Sequence, residues 1–211
     1  MRAHFSIQPV LAISFAILFG ISHPTFAAET NSASNRWERE IKAFEASDKT
    51  NPPPQHAILF LGSSSIRIWP DLQKDFPGHT VFKRGFGGSE LSDSIEFADR
   101  IVLPYKPKMI FLYAGDNDLA GGKTPERVFS DFKTFVKKIH AALPQTRIAY
   151  ISIKPCPARK NLLPEVQSAN QLIRNYTKTD DKLLFVDTYS AMLTPNGGLR
   201  PELLQKDGLH L

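Results

Sequence analysis

Five short, largely apolar runs alternate with segments of helical periodicity, and this alternation constrains the fold more than any other feature of the sequence. The runs are AILFLG (57–62), TVFKR (80–84), MIFLYAG (109–115), RIAYISI (147–153) and LLFVD (183–187). Apolar runs of this length are typical of parallel strands that are buried on both faces. Strands that alternate with amphipathic helices predict an α/β fold, with helices on both faces of a five-stranded parallel sheet.

The segments between the runs carry helix signals. Residues 34–50 place apolar side chains at helical spacing, and the proline-rich stretch NPPPQ (51–55) then breaks the pattern. A second helix is predicted to begin at Thr124, which can cap it, with Pro125 in the first helical position. Apolar spacing across 166–176 predicts a third helix.

The N-terminus has the pattern of a secretory signal peptide over residues 1–27. Arg2 precedes an uncharged apolar run (10–21), and small residues lead to a predicted cleavage after Ala27. The run is shorter than the roughly 20 residues that a membrane-spanning helix needs. An uncleaved membrane anchor is the alternative interpretation. The pattern predicts a periplasmic or secreted protein with no stable membrane insertion after cleavage.

Charge and cysteine content exclude several classes of protein. The chain has 26 basic and 21 acidic residues, and loss of Arg2 with the signal peptide lowers the net charge from +5 to +4. This small, scattered surplus does not indicate binding to nucleic acid. Cys156 is the only cysteine, so an internal disulfide is excluded, and its position between two prolines favours a structural role.

Polar motifs follow the first three predicted strands, and another closes the chain. GSSS (62–65) can be a helix cap or hold a nucleophile, and GFGGSE (85–90) suits a tight turn but lacks the third glycine of a dinucleotide-binding fingerprint. GDND (115–118) does not continue into a calcium-binding loop, so Asn117 is either a turn residue or an amide donor. The chain ends on DGLHL (207–211), with an acid and a histidine three positions apart. Residues beyond the carboxyl ends of parallel strands form the ligand site of such sheets.

Taken together, these motifs resemble the SGNH family, also called GDSL-type esterases and acylhydrolases. The motifs that carry the resemblance are FLGSSSI, RGFGGSELSD, AGDNDL and DGLHL. The sequence is most similar to the branch that resembles the acetylhydrolase of platelet-activating factor. The resemblance implies a flavodoxin-like three-layer α/β/α sandwich over residues 57–211, preceded by an N-terminal helix and connector (28–56).

The resemblance also implies the roles of individual residues. It makes Ser64 the nucleophile, with His210 as the general base and Asp207 as the acid that orients it. The oxyanion hole would consist of the N–H groups of Ser64 and Gly88 and the side-chain amide of Asn117. No metal or cofactor is implied.

The sequence departs from the family pattern at three places. Ser63 stands where the family has aspartate before the nucleophile, and Lys83 stands where an asparagine is common. Members of the family continue beyond the catalytic histidine into a closing helix, which a sequence ending at Leu211 does not include.

The remaining polar residues are predicted to be structural. Three histidines lie between the predicted signal peptide and DGLHL: His56, His79 and His140. None of them comes after a strand end, which favours surface or packing roles. For three basic residues near strand ends, a solvated structural role is favoured over substrate contact: Arg84, Lys154 and Arg159.

The resemblance and the export signal predict an esterase acting on short acyl groups. An acetyl ester of a carbohydrate or other polar alcohol is the expected substrate, with no nucleic-acid partner. The alternative is a non-catalytic glycan-binding module on the same fold. A Ser64→Ala variant separates the two, because it abolishes hydrolysis and leaves glycan retention almost unchanged.

Overall fold

The computed structural model describes residues 36–211, which are built around a five-stranded sheet. The strands are β1 (Ile58–Gly62), β2 (Val81–Gly85), β3 (Met109–Tyr113), β4 (Arg147–Ile151) and β5 (Leu183–Val186). All neighbouring pairs are parallel, and the order across the sheet is β2-β1-β3-β4-β5. This is the flavodoxin-like order, and it confirms the predicted fold class. The predicted signal peptide lies outside the described residues.

Helices connect the strands, and the longer ones lie where helical periodicity predicts them. The α-helices are α1 (Glu38–Thr50), α2 (Ser64–Arg67), α3 (Leu72–Asp75), α4 (Leu91–Glu96), α5 (Ala98–Ile101), α6 (Asp116–Ala120), α7 (Pro125–Ala142), α8 (Leu163–Thr177) and α9 (Thr188–Ala191). Short 3-10 helices span Leu103–Tyr105, Pro157–Leu162 and Pro201–Leu203. Thr124 caps α7 as predicted, since its side chain accepts the N–H of Arg127.

One face of the sheet is covered by the main hydrophobic core. Leu61, Leu112 and Tyr150 share a register position on neighbouring strands and are fully buried on this face. α7 packs against them through a stripe that includes Phe132 and Phe135, which are also fully buried. α1 packs on the same core through Ile41, and Trp37, the residue before the helix, packs there as well.

The other face carries a smaller apolar cluster and an open cavity. Phe60 on β1 stacks on Phe111 of β3, with ring centroids 4.8 Å apart. The short helices α2 and α3 cover part of this face through Ile66 and Leu72. Beyond them lies an apolar cavity of about 570 Å³, lined also by Leu211.

Three basic residues near strand ends were predicted to be solvated, and this prediction is wrong for two of them, which are buried. Arg84 is 7% exposed because its guanidinium pairs with Asp48 on α1. Lys154 is 4% exposed because its ammonium donates to the Tyr113 hydroxyl at 2.8 Å. Opposite charges and hydroxyl acceptors inside the fold therefore compensate for the loss of water.

A buried ion-pair cluster holds the loops beyond β2 and β3 together. The carboxylate of Asp118 on α6 is fully buried and accepts the backbone N–H of Leu91, the first residue of α4. Lys123 pairs with that carboxylate at 2.8 Å and also with Glu90 and Asp131. These neighbours raise the pKa of Lys123 above its usual range although burial opposes it.

Among residues 36–211, no helix combines the length and the apolar character that crossing a bilayer requires.

Candidate active site

The strand order brings three of the predicted loops to one point of the sheet. β1 lies between β2 and β3, so the residues that follow these three strands meet at the same carboxyl edge. From β1 the chain continues to β2 on one side, and from β3 it continues to β4 on the other side. Ligands bind in such sheets at the point where the strand order reverses in this way. Ser64, Gly88 and Asn117 each come from one of these loops.

Ser64 is the first residue of α2, and only Ser63 separates it from the end of β1. Its position there depends on a close approach of α2 to β2: a Cβ on Gly85 would lie 2.3 Å from the backbone nitrogen of Arg67. Glycine at this position lets the helix pack against the strand. Because Ser64 begins the helix, its N–H has no intrahelical acceptor and stays available to a ligand.

Asp207 and His210 come together in one turn near the end of the chain. One oxygen of the Asp207 carboxylate accepts the backbone N–H groups of Leu209 and His210, at 2.9 and 3.0 Å. The other oxygen lies 2.6 Å from Nδ1 of His210. The opposite ring nitrogen, Nε2, lies 2.9 Å from Ser64 Oγ. The structure therefore brings the predicted serine, histidine and aspartate into one chain of hydrogen bonds.

The protonation state of this chain follows from its partners. The backbone N–H of His210, then its ring, and then the N–H of Leu209 lower the pKa of Asp207 well below its usual range. The carboxylate therefore stays ionised and accepts the Nδ1–H of His210. In that tautomer Nε2 has a free lone pair and can accept the proton of Ser64.

The other two predicted residues lie beside Ser64. Gly88 has a φ of +81°, a left-handed conformation that favours glycine, and it lies within a turn closed by the N–H of Ser89 on the carbonyl of Phe86. The Asn117 amide donates to the Ser89 carbonyl at 3.0 Å and so ties α6 to this turn. Both residues face the same cleft as Ser64.

The cleft that contains these residues is open, with a volume of about 440 Å³, and most of its lining residues are polar. Its wall includes Ser64, Gly88, Asn117 and His210. The larger apolar cavity on the second face is lined by Ser65 and Lys154 and by none of the five predicted site residues. We assign the chemistry to the smaller cleft, because the hydrogen-bonded serine and histidine lie there.

Several residues of the cleft were not predicted from the sequence. Trp37 and Glu40 reach it from the N-terminal segment, and Arg67 reaches it from the end of α2. Arg159 also lines the cleft and donates to the Asn117 side chain, whereas the sequence favoured a solvated structural role. No sequence pattern singles out the first three, since side chains from distant segments meet there only in the fold.

The other histidines of residues 36–211 do not line this cleft. His56 and His79 are exposed, and His140 contacts the Thr146 carbonyl from the end of α7. Over residues 36–211, no three histidine, cysteine, aspartate or glutamate side chains are grouped so as to hold a metal ion.

The sequence also matches a known family. Residues 60–211 match the model of the GDSL-like Lipase/Acylhydrolase family, so the chain belongs to this family of carboxylic ester hydrolases. No curated protein sequence matches the chain.

Several solved structures share this fold. A Streptococcus pneumonia protein provisionally named a platelet activating factor has a TM-score of 0.73 at 21% identity, covering 84% of this chain and 86% of that one. A GDSL-like lipase from Bacteroides thetaiotaomicron has a TM-score of 0.68 at 23% identity, covering 81% and 88%. A carbohydrate esterase family 3 protein from Talaromyces cellulolyticus has a TM-score of 0.55 at 16% identity, covering 72% and 86%.

Proposed function

We propose that the protein is an exported serine esterase that removes short acyl groups, acetyl above all, from carbohydrates or other polar alcohols. One observation carries the catalytic part of the proposal. Ser64 Oγ lies 2.9 Å from His210 Nε2, and His210 Nδ1 lies 2.6 Å from the Asp207 carboxylate. A serine within hydrogen-bond distance of a base that is itself oriented by an acid is the arrangement that activates a hydroxyl nucleophile.

In the first half of the reaction, Ser64 Oγ attacks the carbonyl carbon of the ester while its proton passes to His210 Nε2. The ionised Asp207 stabilises the imidazolium that forms. Negative charge on the carbonyl oxygen is met by the N–H groups of Ser64 and Gly88 and by the Asn117 amide. The C–O bond to the alcohol then breaks, and the alcohol leaves with the proton from His210.

In the second half, a water molecule attacks the acyl group on Ser64 and gives a proton to His210. The ester bond to Ser64 breaks, Ser64 takes the proton back, and the carboxylic acid is released. The cleft is open to solvent, so water reaches the acyl group without a further movement of the chain.

The shape of the cleft supports a short acyl group. Trp37 and Leu209 are the only large apolar side chains that line the cleft within residues 36–211, and its other lining residues are polar or glycine. A site that buried a long acyl chain would gain about 0.8 kcal/mol for each methylene. The name of the fungal neighbour, a carbohydrate esterase, supports a carbohydrate as the alcohol part.

Hydrolysis of p-nitrophenyl acetate, butyrate and octanoate by the purified protein tests this proposal. We expect kcat/KM to fall at least about tenfold from acetate to octanoate, because the cleft has only two large apolar side chains among residues 36–211 against which a longer chain could pack. A rise with chain length would contradict the short-acyl proposal and would indicate that the apolar cavity takes the chain. Absence of turnover in a folded protein that retains glycans would support the non-catalytic alternative.

Export rests on the N-terminal sequence alone. We propose cleavage after Ala27, because the basic start, the apolar run and the small residues before this position fit a signal peptide. Sequencing the N-terminus of the exported protein tests it. Ala28 is the expected first residue, and an intact Met1 would contradict the proposal.

A further inference from the structure

Arg159 joins the predicted oxyanion hole to a buried polar cluster behind it. One nitrogen of its guanidinium donates to Oδ1 of Asn117 at 2.9 Å, and another lies 3.3 Å from the Asp116 carboxylate. We propose that Arg159 is a positioning residue, which holds the Asn117 amide in the orientation that stabilises the carbonyl oxygen of a bound ester. This inference rests on the proposed function.

The partners of the Asn117 amide allow it only one orientation. A guanidinium can only donate hydrogen bonds, and a carbonyl can only accept them. Arg159 on one side and the Ser89 carbonyl on the other therefore both place the amide oxygen toward Arg159 and the NH₂ group toward Ser89. A flipped amide would lose both hydrogen bonds. One hydrogen of the NH₂ group is used by Ser89, which leaves the second for a carbonyl oxygen in the cleft.

The guanidinium is itself held from behind. Asp116 is 6% exposed, and the carboxylate oxygen that faces Arg159 also lies 3.7 Å from the ammonium of Lys154. Lys154 donates to the Tyr113 hydroxyl, which in turn donates toward Asp116 at 3.4 Å. Burial raises the pKa of Tyr113 well above its usual range, so this hydroxyl keeps its proton. In a buried setting such a network fixes the positions of its members more firmly than exposed pairs do.

The segment that carries Arg159 also contacts the turn of the triad. The N–H of Ala158 donates to the Gly208 carbonyl at 3.3 Å, and Gly208 lies between Asp207 and His210. The 3-10 helix Pro157–Leu162 therefore contacts both the oxyanion side and the histidine side of the cleft. Its backbone supports the turn, whereas the Arg159 side chain acts on Asn117, so substituting that side chain tests the second contact separately.

A double-mutant cycle between Arg159 and Asn117 tests the proposal. Arg159→Met is expected to lower kcat about tenfold or more with little change in KM, because the amide loses its fixed orientation. Asn117→Ala is expected to lower kcat by about 10²–10³, the usual effect of losing one oxyanion donor. In the Asn117→Ala background, Arg159→Met should change kcat by less than about twofold, because its effect passes through that amide.

A second variant and a control address the stability of the fold. Arg159→Lys keeps a positive charge beside the buried Asp116, and its kcat should lie between those of the wild type and Arg159→Met. The matched control is Arg174→Met, which removes an ion pair with Asp187 on residues that do not line the cleft. Its kcat should equal that of the wild type, and the thermal midpoints of all variants give the cost to the fold.

Three results would overturn the role of Arg159. If Arg159→Met lowers kcat by the same factor in the wild-type and in the Asn117→Ala background, Arg159 acts independently of the amide. A rise in KM at unchanged kcat would make it a substrate contact. If Arg159→Met keeps the kcat of the wild type, the positioning role is contradicted and the proposed function is not. Absence of hydrolysis by the folded wild-type protein would contradict the proposed function itself.

Discussion

Replacing Ser64 by alanine is expected to lower kcat by on the order of 10⁵–10⁶, the loss seen when the nucleophile is removed from a triad that acts as a unit. The physical reason is that, among residues 36–211, Ser64 has the only side-chain hydroxyl that lines the cleft. Ser63 is fully buried, and Ser65 lines the apolar cavity on the second face of the sheet. The measurement is the initial rate of p-nitrophenyl acetate hydrolysis, corrected for the uncatalysed rate.

Ser65→Ala is the matched control for this substitution. It removes the same atom one residue further along α2, where the hydroxyl lies 3.5 Å from the Lys154 ammonium and does not line the polar cleft. We expect its kcat to stay within about threefold of the wild-type value. Comparable losses in Ser64→Ala and Ser65→Ala would contradict the assignment of the nucleophile.

Asp207→Asn is expected to lower kcat by on the order of 10³–10⁴ while leaving the turn folded. The new amide oxygen can still accept the N–H groups of Leu209 and His210, which the carboxylate accepts in the wild type. Its NH₂ group then faces Nδ1 of His210, which must become the acceptor. The ring proton moves to Nε2, and that nitrogen can no longer take the proton of Ser64. Steady-state kinetics with p-nitrophenyl acetate measure the effect.

Asp180→Asn is a suitable control for this second prediction. Its carboxylate also accepts a backbone N–H two residues further on, that of Lys182, but it lies outside the cleft. Its kcat should match the wild type. A loss in Asp207→Asn smaller than about tenfold would indicate that Asp207 does not set the tautomer of His210.

The sheet follows from local patterns in the sequence, and the candidate triad was predicted from short motifs that resemble those of a known family. Each strand lies within a residue or two of its apolar run, since continuous apolar runs have few other stable settings in a soluble fold. β3 and β4 end two residues earlier than predicted, because Ala114 and Ser152 already belong to the loops of the site. The roles of Ser64, Gly88 and Asn117 were predicted from the resemblance of their motifs to those of a known family, and the parallel strands bring the loops that hold these residues to one edge of the sheet.

The rest of the site depends on contacts that no local pattern records. Arg159 was expected in solvent because arginine usually is, and its role depends on Asp116 and Asn117 lying beside it. Trp37, the residue before α1, reaches the cleft only because it packs on the core against Phe86. The four-residue helices α2, α3, α5 and α9 are too short for a periodicity to identify them.

Covalent labelling with a short-chain fluorophosphonate tests the central claim, that His210 activates Ser64 as the nucleophile, most directly. Such a reagent forms a bond between its phosphorus and an activated serine oxygen and releases fluoride. We expect one label per protein, located on Ser64 by fragmentation of the peptide that also holds Ser63 and Ser65, and much slower labelling in His210→Ala. A label on a different residue, or none on a protein that hydrolyses p-nitrophenyl acetate, would contradict the account.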